Sequence, residues 1–260
     1  MDAVFDDCKR TLHLTQLWLH LGWADVARRY RRTVLGPLWH TLSLGVFILC
    51  MGLIWASVLK TDFHSYANHL TPSLVAWSFI SAAILEGTAV FLNAQQTILT
   101  INLPYPVLVL GLIWKLAITF AHHLLLIVAL MIVYQTPPNA AMLLLVPGFL
   151  LTSINCVWMA MLVGIICLKA RDIQMLVSIG IQVAQFVTPV FWPVALIAPS
   201  LAWAVEYNPL YHLLQIVREP LAGRMPDSEN WIWCGGMAIV GSLATFLIYA
   251  GVRRRMAYWY

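Results

Sequence analysis

The sequence predicts an all-α polytopic membrane protein. It would have six transmembrane helices, an N-terminal interfacial amphipathic helix, and two short helices on the outer side between spans five and six. Three observations predict this. Hydrophobic residues make up 61% of the 260 and charged residues only 10%, whereas soluble chains run near half and a quarter. That balance excludes an ordinary soluble domain, and it excludes disorder, which needs low hydrophobicity and high charge. The few charges are also clustered: 33–59, 63–85, 116–168, 173–205 and 230–252 contain no Asp, Glu, Lys or Arg, and a bilayer span needs about 20 apolar residues. Finally, with the N-terminus inside, 12 of the 15 Lys and Arg fall on the cytoplasmic side. The positive-inside rule then places both termini in the cytoplasm.

Residues 1–32 read as a cytoplasmic segment and 33–260 as the six-helix domain. The first thirty residues carry Asp2, Asp6, Asp7, Lys9 and Arg10 and no apolar core of signal-peptide type, so no cleavable signal is expected. Within 10–32, Leu14, Trp18, Leu21 and Trp23 precede Arg28, Arg29, Arg31 and Arg32. Apolar turns followed by a basic end suit a helix lying at the headgroups. Spans are expected at about 38–59, 73–93, 107–133, 140–168, 173–198 and 231–252. The third and fourth are separated by the turn Thr136-Pro137-Pro138-Asn139, where a helical hairpin reverses.

After the fifth span, Thr188-Pro189-Val190-Phe191-Trp192-Pro193 interrupts the apolar run. Two prolines four residues apart break a helix. An apolar piece, 194–205, follows, and then a short amphipathic helix over Leu210–Ala222. Asn208 before Pro209 starts this helix and Gly223 stops it. Both pieces are too short to span. Irregular backbone at membrane depth persists only where protein or a wet path surrounds it, so a lid over an outer pore mouth and a cap that only packs both fit the pattern.

Glu86 and Lys115 are the acid and base well inside spans, where a charge is costly and points to function. Glu86 lies seven residues before the end of the second window, and Lys115 eight into the third. In an antiparallel hairpin these depths match, which predicts an ion pair. The alternatives are a snorkelling Lys115 and a Glu86 facing a wet cavity. His122 and His123 are adjacent on a helix and point about 100° apart, so they cannot converge on one metal. Cys8, Cys50, Cys156, Cys167 and Cys234 show no metal spacing and read as small hydrophobes. No lysine follows a glycine, so the chain has no P-loop to cradle a nucleotide. HExxH and GxSxG are absent as well, and no enzymatic site is expected. Most of the 12 tryptophans lie near span ends, as interfacial anchors do. Trp77, Phe79, Phe191 and Trp192 are the aromatics that could stack on sugar rings along a path. Ser43, Ser78, Ser81, Thr88, Asn93, Gln182 and Gln185 are candidate pore-facing donors, or else bonds between helices.

Several motifs carry a resemblance. Arg28-Arg29-Tyr30-Arg31-Arg32-Thr33-Val34-Leu35-Gly36-Pro37-Leu38-Trp39 resembles the basic-aromatic start of ABC-2 type permeases. These are the transmembrane subunits of polysaccharide exporters, Wzm-type for O-antigen, with teichoic-acid and capsule exporters as relatives. Trp77-Ser78-Phe79, Asn93, Leu103-Pro104, Arg171-Asp172-Ile173, the Thr188–Pro193 motif, Asn208-Pro209 and Arg218 resemble further family motifs in the same order. The resemblance runs from about residue 15 to the C-terminus. Two departures stand out: the loop 94–106 lacks the usual lysines, and Leu103 replaces a phenylalanine.

The resemblance implies a homodimer joined by two ATP-binding cassette subunits, with ATP and Mg on those partners and no cofactor in this chain. It implies export of a lipid-linked, O-antigen-like polysaccharide across the bacterial inner membrane. It maps a coupling helix to about 94–104, with Arg29, Tyr30, Arg31, Gln95, Gln96, Leu103 and Pro104 meeting the ATPase. Pro189, Pro193, Asn208, Pro209 and Arg218 would form the outer gate. Rival readings are an ABC-2 exporter of a small lipid or drug, an ion-coupled carrier, and a membrane enzyme acting on lipid-linked sugars. For the enzyme, Glu206, Glu219 and His212 would be the outer acid/base candidates.

Overall fold

The computed structural model describes residues 2–31, 33–101 and 103–260. Arg32, at the end of the expected interfacial segment, lies outside the described residues. Among the described residues every regular element is helical. Helix α1 (Asp2–His13) and α2 (Thr15–Tyr30) precede α3 (Leu38–Leu59), α4 (Phe63–Gly87), α5 (Gln95–Thr100), α6 (Tyr105–Tyr134), α7 (Leu145–Lys169), α8 (Ile173–Val187), α9 (Ala202–Glu206), α10 (Pro209–Leu221) and α11 (Ser228–Met256). Short 3-10 turns occupy Leu92–Ala94, Ala140–Leu144, Val194–Leu196 and Pro199–Leu201.

Among the described residues, five helices are long and apolar enough to cross a bilayer: Leu38–Leu59, Phe63–Gly87, Tyr105–Tyr134, Ala140–Lys169 and Ser228–Met256. The sixth apolar helix, α8, has 15 residues. At 1.5 Å per residue it is about 22 Å long, short of the roughly 30 Å hydrocarbon core. Its expected window ran to 198, but the helix ends at Val187 because Thr188 turns to extended backbone (φ −76°, ψ 132°) ahead of Pro189. The second span is shifted the other way. It begins at Phe63 rather than 73, because Asp62 caps it, its carboxylate accepting from the His64 and Ser65 amides at 3.0 and 3.3 Å. Helix α1 was not anticipated, the interfacial reading having started at residue 10.

α4 is the centre of the bundle. α3, α6, α7, α8 and α10 all pack against it. Phe79 of α4, Phe120 of α6 and Phe149 of α7 form an aromatic cluster, with the last two stacked at 4.5 Å. α11 lies along α7, where the Asn155 amide donates to the Cys234 carbonyl at 3.1 Å and accepts from the Trp158 indole at 3.0 Å. α2 runs along α6. The two come close because both carry glycine: a Cβ on Gly22 would stand 2.5 Å from the Gly111 carbonyl oxygen. α10 packs against α4, α7 and α11. It ends at Gly223, whose φ of +74° favours glycine.

Candidate functional site

Between α3 and α8, with α4 as its floor, lies a cleft of about 250 Å³. Phe47, Trp77, Ser78, Ser81, Gln182 and Gln185 are among its lining residues. Four of the seven candidate donors thus share one surface. The two serines also bond their own helix: Ser78 Oγ to the Val75 carbonyl and Ser81 Oγ to the Trp77 carbonyl, both at 2.7 Å. The other three lie elsewhere. Ser43 bonds the Trp39 carbonyl, Thr88 bonds the Leu85 carbonyl, and Asn93 lines a separate cytoplasmic cleft. Of the four path aromatics, Trp77 lines the α3–α8 cleft and Phe79 belongs to the buried aromatic cluster. Phe191 is 5% exposed, with its ring 6.4 Å from Phe47 and 5.6 Å from Phe186. The Trp192 indole donates to the Phe186 carbonyl at 2.9 Å.

The Thr188–Pro193 segment has no helical ladder, so its backbone oxygens need other donors. Arg218, only 4% exposed, donates to the Pro189 carbonyl at 3.1 Å and to Gln215 Oε1 at 2.8 Å. The Tyr66 hydroxyl donates to the Phe191 carbonyl at 2.5 Å. Asn208 does two jobs: its Nδ2 donates to Thr188 Oγ1 at 2.9 Å, and its Oδ1 caps α10 by accepting from the Leu210 amide at 3.0 Å. Pro209 occupies the first turn of α10, and Pro193 precedes the Val194–Leu196 turn in extended backbone. Glu219 binds both Arg218 and Arg224. Burial pushes its carboxyl up, but the two guanidinium groups outweigh that and hold it below the usual carboxylate range. Sequence reasoning named Arg218, Asn208 and the prolines but missed Tyr66 and Gln215. No local pattern links Tyr66 to a segment 125 residues away. The His212 ring stacks on Trp233 at 4.9 Å and meets Asn230 Oδ1 and the Glu206 backbone carbonyl, both at 2.8 Å.

Near the end of α4, Lys115 Nζ donates to Glu86 Oε2, and Arg29 Nη1 stands 3.8 Å from Glu86 Oε1. Arg28 pairs with Asp25 on its own helix. These groups line a cleft of about 720 Å³ between α2, α4 and α6, to which Asn93, Ala94 and Thr97 also contribute. Of the residues expected to meet an ATPase, Arg29, Arg31 and Gln96 are exposed, and Tyr30 and Gln95 are half-buried. Leu103 and Pro104 are buried, Pro104 forming the N-cap of α6. The helix mapped to 94–104 on the resemblance is Gln95–Thr100, entered through the Leu92–Ala94 turn.

A second contact between distant charged groups went unseen in the sequence. Asp7 of α1 accepts from the Tyr249 hydroxyl at 2.6 Å and from Arg253 through both carboxylate oxygens, tying α1 to the end of α11. Phe5 packs its ring against Phe246, 5.1 Å away. Burial raises the Asp7 carboxyl, but the bonds from Arg253 and Tyr249 and the Arg253 charge outweigh it and leave it below the usual range. Among the described residues, no group of three or more His, Cys, Asp and Glu could hold a metal.

A bundle of long apolar helices around a cleft, with a broken segment after α8 and a charged cluster near the end of α4, defines a polytopic helical membrane protein. Residues 16–221 match the ABC-2 type transporter family, and the chain belongs to that family. It is similar to the O-antigen export system permease protein RfbA of Klebsiella pneumoniae, at 23% identity over 196 residues, 75% of this chain and 76% of that protein. A second Klebsiella pneumoniae protein of that name is 25% identical over 194 residues, 73% of this chain and 74% of the relative. The Myxococcus xanthus protein of the same name is 23% identical over 244 residues, 93% of this chain and 94% of its own length.

Proposed function

We propose that this chain is the transmembrane subunit of an ATP-driven exporter that moves a lipid-linked, O-antigen-like polysaccharide outward across the inner membrane of a bacterium. The observation that carries this reading is the α3–α8 cleft. It presents Ser78, Ser81, Gln182, Gln185 and Trp77 between two helix faces that this chain leaves uncovered. The Ser78 and Ser81 hydroxyls on the α4 floor and the Gln182 and Gln185 amides on α8 give an otherwise apolar cleft donors and acceptors that suit a hydrated glycan. Large exposed hydrophobics on both rims (Leu42, Val46, Leu49 and Leu53 on α3; Met175, Leu176, Ile179 and Val183 on α8) suit contact with a second copy. Two such clefts facing each other make a pore at a homodimer interface.

In this reading both termini are cytoplasmic, and α8 with the broken segment after it completes a sixth crossing. The Thr188–Pro193 segment and α10 are the outer gate. ATP and Mg are bound by a separate cassette subunit, which hydrolyses the nucleotide and pushes on Gln95, Gln96 and the Arg29–Arg31 end of α2. ATP shifts the dimer between arrangements only through a difference in its affinity for them. The names of the relatives favour a polysaccharide over a small drug or lipid.

The test is to purify the chain in mild detergent and assay the eluate for ATPase activity. A cassette subunit should co-purify in about equal amount. A chain that purifies alone and moves solute in liposomes without ATP would overturn the reading in favour of a coupled carrier.

A further inference from the structure

Three cavities of this chain share residues in sequence. The cytoplasmic cleft and a deeper cavity of about 200 Å³ share Arg29, Leu85 and Glu86. That deeper cavity and the α3–α8 cleft share Ser78 and Leu85. Neighbouring cavities thus run from beneath α2, past the Arg29–Glu86–Lys115 cluster, to the wall assigned above to the glycan path.

The charges at its neck are unbalanced. Arg28, Arg29 and Lys115 line the cytoplasmic cleft with only Asp25 and Glu86 against them. Arg28 is taken by Asp25, which leaves two cations, Arg29 and Lys115, converging on the single Glu86 carboxylate. Glu86 is not sealed in: its side chain is 31% exposed and that of Arg29 57%. A carboxylate that is accessible and shared by two cations is readily replaced by a phosphoryl group, which offers more oxygens to the same donors. Beyond the neck, His123 lines the deeper cavity and is 2% exposed. Its Nδ1 meets Ser78 Oγ at 3.2 Å, while its buried Nε2 has no hydrogen-bond partner among the described residues. A buried polar atom left unpaired costs free energy, and the cavity it borders has room for about six waters or a sugar ring bearing hydroxyls.

We infer that the Arg29–Glu86–Lys115 cluster is a binding site for the phosphate or diphosphate head of a lipid, with Glu86 occupying the site in the empty state. Arg29 and Lys115 take the phosphoryl oxygens. Glu86 is the resident competitor they leave. The cavity at His123 and Ser78 receives the first polar group attached to that head. The site rests on the exporter reading only for the identity of the lipid.

The experiment measures farnesyl diphosphate binding to the full chain in neutral-lipid nanodiscs. Arg29→Gln and Lys115→Gln should each weaken binding about tenfold, the effect of one charge-assisted hydrogen bond. Lys115→Arg should stay near wild type, and Glu86→Gln should tighten binding. Arg29, being exposed, carries the test if Lys115→Gln does not fold. Unchanged affinity in both cation variants overturns the site. So does equal weakening by Glu86→Gln, which would make the cluster a purely structural ion pair. Farnesol should not compete. Phosphatidate competing as well as inorganic diphosphate keeps the site but assigns it to bilayer phospholipid, whereas preference for the diphosphate assigns it to a polyprenyl carrier. Absence of a co-purifying ATPase would sink the exporter reading and leave these affinities untouched, so the two failures are distinguishable.

Discussion

The adjacent spans α3 and α4 are of similar length, yet they sit in opposite surroundings. The most apolar stretch of α3 has a mean hydropathy of 2.3 and is 17% buried, whereas that of α4 has 1.3 and is 72% buried. In a soluble protein the more hydrophobic helix would be the buried one. Here the order is reversed because lipid solvates Leu and Ile as well as a protein core does, while polar groups need protein or water. α4 accordingly carries Tyr66, Ser78, Ser81 and Glu86, each hydrogen-bonded, and touches both the Thr188–Pro193 segment and the Glu86–Lys115 ion cluster. α3 carries Leu42, Val46, Leu49 and Leu53 outward. Constraint belongs to α4, and α3 is left free for an external partner.

The largest effect expected is on α4 where it crosses α7. A Cβ on Gly87 would lie 2.8 Å from Ala160 Cα and 2.9 Å from its Cβ. Backbone on both sides leaves nothing flexible to give way. Gly87→Val should cost about 3 kcal/mol or more, read as loss of monodisperse protein or a large drop in thermal midpoint. Leu53→Ala on α3, at a residue 62% exposed, should change single-chain stability by only about 0.5 kcal/mol. Equal costs at the two sites would break the contrast.

What the sequence disclosed follows the same division. Depth along a helix can be counted, so Glu86 and Lys115 could be set opposite each other, and their side chains do meet. Span positions follow from runs without charge, which any apolar helix shows whichever way it faces. The end of α8 was harder: apolarity continues past Val187, and hydropathy does not register that Pro189 lacks an amide hydrogen. Contacts such as Tyr66 to Phe191, or Asp7 to Arg253, 246 residues apart, leave no periodic trace. Leu103 and Pro104 were expected to meet the ATPase on resemblance alone, and both are buried within this chain.

An intermediate effect is expected at the α1–α11 clasp, which no membrane argument predicts. Asp7→Asn removes the charge that two groups of α11 hold. It should destabilise by about 2 kcal/mol, less than a fully buried pair because Arg253 is 28% exposed. The sign with pH is fixed by the lowered Asp7 carboxyl. Its contribution is fully present above the unfolded value near 3.9 and is lost as pH falls through the lower folded value. Wild type should therefore lose thermal stability in acid relative to Asp7→Asn, and the two curves should converge below the folded pKa. Parallel curves would mean that the ion pair contributes nothing.

The smallest effect on the single chain is the most informative about assembly. Leu49 and Leu53 are 55% and 62% exposed on α3, so truncation to alanine removes little packing within the single chain. Leu49→Ala with Leu53→Ala should thus leave thermal stability of the monomer nearly unchanged. If the same face packs on a second copy, each truncation forfeits van der Waals contact, the main force between helices in lipid. A total loss of about 1 kcal/mol would raise the dimer dissociation constant roughly fivefold, measured by single-molecule photobleaching in liposomes across a range of protein densities. An unchanged dimer fraction would assign the face of α3 to lipid, and the second wall of any pore would then have to come from α8 alone.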